Sequence, residues 1–64
     1  MTPATFLKIR KGAGLTQGQL SRILRLADSR AIRRYEAGDR AISGPISLLM
    51  EMVEDGRLKV KDDE

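Results

Sequence analysis

Helix start and stop signals divide this 64-residue chain into four short segments, and this division most constrains its fold. The segments cover about residues 2–13, 16–24, 28–37 and 43–55. A polar residue suited to capping opens each segment, and glycines follow the first, third and fourth. Helices this short are not stable alone in water, so the four must share one core. The sequence therefore predicts an all-α fold, a compact bundle of four to five short helices.

The start of the second segment is marked by two independent patterns. Thr16 and Gln19 have the three-residue spacing of a capping box, in which each side chain binds the other residue's backbone N–H. Leu15 and Leu20 stand at the two positions of a hydrophobic staple, which fixes the direction in which the chain enters a helix. Together the two patterns predict a helix that is capped at Thr16.

The third segment carries arginines outside its apolar stripe, namely Arg30, Arg33 and Arg34. Only about three residues, 25–27, separate it from the second segment. A tight helical pair whose second member bears arginine is the organisation of a helix-turn-helix. Arg30 and Arg34 are four residues apart and so share a helix face. The arginine fork matches the two acceptors on a guanine edge, so this face suits the DNA major groove.

The charges of the chain are unevenly distributed. Residues 1–40 hold 9 basic and 3 acidic residues, a net charge of +6, whereas residues 41–64 hold 3 basic and 6 acidic residues, a net charge of −3. A run of arginines on an arbitrary helix usually forms a solvated face. Here the net charge of residues 1–40, and the lack of acids four residues away from the arginines, favour an anionic ligand instead.

The composition argues against an enzyme. The chain has neither cysteine nor histidine, which excludes disulfides, the usual zinc ligand sets, and Cys or His nucleophiles and bases. No pair of carboxylates has a persuasive catalytic spacing, and no phosphate-binding loop is present. We therefore expect no enzymatic activity, no metal and no cofactor. No apolar run is long enough to span a membrane and no signal-peptide pattern is present, so we expect a cytoplasmic protein without membrane contact.

Two motifs resemble the phage repressor/Cro-like (Xre-type) helix-turn-helix family. The first is GLTQ at residues 14–17 with QL at residues 19–20, which is similar to the opening of the family's second helix. The second is IRRYEAG at residues 32–38, which is similar to the end of its recognition helix. The resemblance covers about residues 5–54. It implies a lambda-repressor-like fold containing a helix-turn-helix.

On this interpretation, residues 1–56 are the DNA-binding domain. Residues 57–64 are a C-terminal tail that is frayed or contributes to dimerisation. The chain departs from the family at the turn, where Ser21 stands for a common Ala and Arg25 for a common Gly. Arg25 must take a conformation that glycine adopts easily, or the turn differs. The connection before Ile32 is also one residue longer than usual, which predicts a wider turn.

The resemblance implies roles in DNA binding for several residues. Ser29, Arg30 and Arg34 fall where family members contact base edges, with an uncertainty of one position at the start of the recognition helix. The residues expected at phosphates are Gln17, Arg33, Arg40, Ser43, Lys11 and Arg22. Gln17 opens the second helix, whose free N–H groups and positive dipole end suit a phosphate.

Other residues have expected roles in the fold or in assembly. Arg10 and Glu36 match family positions that form an internal ion pair, and we interpret them as structural. The candidate dimer residues are Leu48, Met52, Leu58 and Val60. The alternative interpretation is that these side chains only complete the small core. A symmetric patch is expected because a single recognition helix covers few base pairs.

The sequence thus predicts a sequence-specific double-stranded DNA-binding transcriptional regulator, a homodimeric repressor or autorepressor on a pseudo-palindromic operator. Three alternatives stay open. The first is the DNA-binding antitoxin of a toxin–antitoxin pair, in which the acidic residues 41–64 face the toxin in a stable complex. The second is an autorepressor beside another small phage gene, such as an anti-CRISPR-associated regulator. The third is a helical adaptor that binds only protein, which predicts no salt-dependent duplex binding.

Overall fold

Four helices make up the part of the chain that this computed structural model describes, residues 1–58. They are α1 (Pro3–Gly12), α2 (Gln17–Ile23), α3 (Arg30–Ala37) and α4 (Gly44–Glu54). Residues 1–58 contain no strand and no fifth helix, so the all-α prediction is confirmed with four helices. No helix within this range is both long enough and apolar enough to cross a membrane.

Three helices begin with the predicted side-chain caps. The hydroxyls of Thr2 and Ser43 each accept a hydrogen bond from the backbone N–H three residues later, at 3.2 and 3.3 Å. Thr16 and Gln19 form both bonds of the capping box, at 3.0 and 2.9 Å. These contacts satisfy N–H groups that have no partner inside a helix, and they fix where α1, α2 and α4 start.

The start of α3 differs from the prediction. We expected a helix capped by Asp28, but α3 begins at Arg30, and Ser29 occupies the N-cap position without a side-chain cap. Asp28 instead accepts a hydrogen bond from the Arg30 backbone N–H at 2.8 Å, in a local turn that moves the start of the helix one residue later. The connection between α2 and α3 is therefore residues 24–29 rather than the expected three residues.

All four helices end with the same backbone arrangement. In each, an N–H past the helix end donates to the carbonyl five residues earlier, at 2.8–3.1 Å. This Schellman arrangement needs a positive φ at the residue before the donor. Gly14, Gly38 and Gly56 supply it with φ between 72° and 80°, whereas Arg25 supplies it with φ of 60°. Arg25 thus takes a left-handed conformation, which glycine, the common residue of the similar family at this position, adopts easily.

One core holds the helices together, and each helix or its cap contributes two buried apolar side chains. They are Phe6, Ile9, Leu20, Leu24, Ile32, Tyr35, Met50 and Val53. Ser21 is buried between them, and its hydroxyl donates to the Gly18 carbonyl at 2.7 Å. α3 packs against α1 and α2, and α4 packs against α1. The radius of gyration, 10.7 Å, is that of a compact chain of this length, for which about 11 Å is expected.

Candidate nucleic-acid interface

α3 turns one side to the core and the other to solvent. Ile32 and Tyr35 are buried, whereas Arg30, Arg33 and Arg34 are exposed. With about 100° between successive residues, the three arginines lie within an arc of roughly 100° opposite the buried side. We call this surface the arginine face. It presents three guanidinium groups on eight residues of helix.

The one acid of α3 is turned away from the arginine face. Glu36 is bound by Arg10 of α1, whose Nε lies 2.5 Å from Glu36 Oε2. The two side chains are only 13% and 10% exposed, and Arg10 Nη1 also donates to the Leu15 carbonyl at 2.9 Å. The structure therefore brings the two predicted structural residues together, and their opposite charges form an ion pair.

Gln17 joins the same network. Its Nε2 donates to Glu36 Oε1 at 3.0 Å, which ties the first residue of α2 to α3. The resemblance implied a phosphate contact for Gln17, and its bond to Glu36 was not predicted because the two residues are 19 positions apart. The carboxamide keeps one further hydrogen that a ligand could use.

Arg40 lies beside the end of α3. Its guanidinium carbon is 5.6 Å from the centroid of the Tyr35 ring, within the range of a cation–π contact. The Tyr35 ring also lies against Phe6, with centroids 5.4 Å apart and planes tilted by 47°. Because Tyr35 is buried in the core, its ring gives Arg40 a fixed support just beyond the end of α3.

Arg30 has an acidic partner. Asp28 Oδ2 accepts from Arg30 Nε at 3.3 Å, in addition to the bond between Oδ1 and the backbone N–H. That backbone bond is the largest cause that lowers the pKa of the Asp28 carboxyl below its ordinary 3.8. Desolvation opposes it, whereas the charges of Arg30 and Arg33 and the side-chain bond to Arg30 lower the pKa further. The carboxylate is therefore ionised at neutral pH and lies against Arg30.

The other predicted DNA contacts are spread over the helix ends. Ser29 is half-buried at the start of α3. Lys11 and Arg22 are exposed in the last turns of α1 and α2. Ser43 is exposed at the start of α4, where its hydroxyl already caps the helix. These positions are accessible to a ligand but lack the concentration of charge found on the arginine face.

The candidate dimer residues divide into two groups. Leu48 is 58% exposed, and Met52, four residues further along α4, is half-buried. Leu58 packs against the core, as the alternative interpretation expected. Val60 lies outside the residues that the structure describes. An apolar patch at this surface of α4 therefore consists of Leu48 and the edge of Met52.

Two contacts beside the arginine face were not predicted from the sequence, the bond between Gln17 and Glu36 and the double contact between Asp28 and Arg30. The spacing of an aspartate two residues before an arginine was available, but it was interpreted as a helix cap.

Among residues 1–58, no group of His, Cys, Asp or Glu side chains is arranged to hold a metal ion. No protein-family model, curated protein or solved structure matches the chain.

Proposed function

We propose that this protein binds double-stranded DNA sequence-specifically and regulates transcription, with α3 as the recognition helix of a helix-turn-helix formed by α2 and α3. The observation that supports it best is the arginine face, which combines three exposed guanidinium groups with no exposed acid from α3 itself. The major groove of B-DNA admits an α-helix, and arginine is the commonest specific partner of guanine.

The arginines divide into two roles on this proposal. Arg30 and Arg34, with Ser29 beside them, contact base edges, because the two arginines are four residues apart on the exposed side of α3, at its start and in its last turn. Arg33 and Arg40 contact phosphates, and the Tyr35 ring holds Arg40 in place. Phosphate contacts position the protein and make its affinity fall with salt, whereas base contacts supply the sequence preference.

The proposal includes a homodimer that acts as a repressor or autorepressor on an inverted repeat. One short helix covers few base pairs, so two copies about one helical turn of DNA apart give the required specificity. The contact between copies would use the exposed Leu48 together with the half-buried Met52, which lies one turn further along the same side of α4.

Selection of bound duplexes from a random pool tests the proposal. Near physiological salt, the purified protein should enrich an inverted repeat, and Arg30→Ala and Arg34→Ala should each remove the preference at one position per half-site. Arg57→Ala removes an exposed arginine beyond α4 and is the charge-matched control. If no sequence is enriched and the protein shows no salt-dependent binding to duplex DNA, the DNA-binding proposal is overturned and a protein partner is favoured.

The dimer has its own test. Leu48→Ser should shift the protein toward a monomer in sedimentation equilibrium and weaken binding to the inverted repeat more than to a single half-site. Glu54→Ser changes another exposed residue of α4, on a different side of the helix, and should leave both measurements unchanged. Equal association of the wild type and Leu48→Ser would exclude this surface as the dimer contact.

A further inference from the structure

We propose that Asp28 is a specificity-determining residue that positions Arg30 to recognise guanine in the operator. The proposal rests on the DNA binding proposed above and adds to it the base that Arg30 selects and the residue that directs it. Asp28 is absent from the predicted DNA contacts, and its place in the structure suggests that it acts through Arg30 rather than on DNA.

The geometry of the contact supports a positioning role. Oδ1 of Asp28 accepts from the Arg30 backbone N–H at 2.8 Å, which fixes the carboxylate against the first residue of α3. Oδ2 then accepts from Nε of the same arginine at 3.3 Å. Only Nε of the guanidinium is used in this way. The terminal nitrogens Nη1 and Nη2 keep their hydrogens for the O6 and N7 acceptors of guanine.

A held arginine recognises a base better than a free one. An unrestrained arginine has many rotamers, and the freedom that it loses on binding weakens the contact. In the free protein the pair is weak, because the two side chains are 73% and 50% exposed. Entry into the groove displaces water, so the attraction between Asp28 and Arg30 strengthens where the orientation matters.

The charge of Asp28 adds a second effect. A carboxylate on the rim of the arginine face repels phosphates, so it lowers affinity for every duplex alike. Where Arg30 finds a guanine, the ordered guanidinium compensates for this loss. Asp28 should therefore raise the ratio of specific to non-specific affinity, which is the quantity that determines which sites are occupied.

Asp28→Asn separates the effect of Asp28 on the Arg30 side chain from its bond to the Arg30 backbone N–H. Asparagine has the same size and keeps one oxygen for the Arg30 backbone N–H, but it loses the charge and the second acceptor oxygen. Asp28→Ser is a second variant that also retains a local acceptor for that N–H. Glu51→Gln is the matched control, because it removes an exposed acid from α4, a helix that packs against α1.

The experiment is a double-mutant cycle of Asp28 and Arg30. The measured quantity is the ratio of affinities for duplexes with guanine and with adenine at one position. The operator is taken from the random-pool selection, and the Arg30-dependent guanine is replaced by adenine in a competitor duplex. Arg30→Ala should reduce the guanine preference by roughly 10- to 100-fold. Asp28→Asn should reduce it on the order of 5-fold and tighten binding to random duplex. The double variant should lose no more preference than Arg30→Ala, and Glu51→Gln should change neither quantity.

The outcomes distinguish this inference from the proposed function. If the wild type enriches no sequence, DNA recognition and the role of Asp28 fail together. If it enriches a site without an Arg30-dependent guanine, or if both Asp28 variants keep the full guanine preference, the inference alone fails. An equal loss of preference from Asp28→Asn with and without Arg30 would also overturn it, because Asp28 would then not act through the arginine.

Discussion

Replacement of Arg25 by glycine should stabilise the fold. Arg25 is the one described residue other than glycine with a positive φ, and it occupies the helix-end position that Gly14, Gly38 and Gly56 occupy elsewhere in the chain. Its side chain is exposed, so the substitution removes no core packing. The change therefore isolates the energetic cost of a left-handed backbone at a residue with a Cβ.

The magnitude follows from two opposing effects. A left-handed conformation costs a residue with a Cβ roughly 1–2 kcal/mol. Glycine avoids that cost but gains freedom in the unfolded chain, which destabilises by roughly 0.4–1 kcal/mol. The difference predicts that Arg25→Gly raises the free energy of unfolding by about 0.5–1 kcal/mol. For a domain of this size that corresponds to an increase in Tm of about 3–6 °C.

Urea unfolding followed by circular dichroism measures the effect, and two variants serve as controls. Arg25→Ala removes the same charge but keeps a Cβ at φ of 60°, so it should gain little. Gly14→Ala introduces a Cβ at φ of 72°, where no atom lies within 4 Å, so it should lose about 1 kcal/mol through backbone strain alone. Equal stabilities of Arg25→Gly and Arg25→Ala would refute the argument, because any gain would then come from charge.

Three further predictions concern charged groups. Arg10→Ala leaves the Glu36 carboxylate largely buried without its cation and should cost about 3 kcal/mol in urea unfolding, whereas Lys11→Ala, on the exposed side of α1, should change stability by less than about 0.5 kcal/mol. Arg33→Ala should weaken binding to all duplexes alike and lower the slope of log affinity against log salt by roughly 0.9, as measured by fluorescence anisotropy; an unchanged slope would exclude a phosphate contact. Because the pKa of Asp28 is lowered on folding, its contribution to stability is present above the ordinary value of 3.8 and is lost as pH falls through the folded value. The difference in unfolding free energy between the wild type and Asp28→Asn should therefore shrink in acid, and a difference that persists below both values would show another origin.

Features set by neighbouring residues could be predicted from the sequence. The caps at Thr2, Thr16 and Ser43 depend on contacts three residues away, and the structure has them where they were expected. The buried stripe of α3 follows from the helical period, so the exposure of its arginines could be predicted as well. Local spacing determines such features almost completely.

Features that depend on the competition between local structures could not be predicted. Asp28 is followed by two residues that could each begin α3, and the turn formed by its bond to the Arg30 N–H decides in favour of the later start. The contact of Gln17 with Glu36 requires α2 and α3 to be packed first, so no spacing in the sequence indicates it. The site therefore differs from the prediction where an acid forms a local turn instead of a cap, and where an amide meets a partner that is distant in the sequence.

Ion pairs take up most of the acidic side chains in residues 1–40, so the unpaired charges there are nearly all positive. Residues 1–40 hold three acids, and two of them, Glu36 and Asp28, are bound to Arg10 and Arg30. Without these two pairs, 7 of the 9 basic residues and 1 of the 3 acids remain, so the net charge of +6 is carried by side chains that are nearly all positive. The pair of Arg10 with Glu36 connects two helices and is largely buried, whereas the pair of Arg30 with Asp28 is largely exposed to solvent. If the proposed function holds, the buried pair mainly serves the fold and the exposed pair serves ligand recognition, so a substitution in one pair leaves the charge that the other presents unchanged.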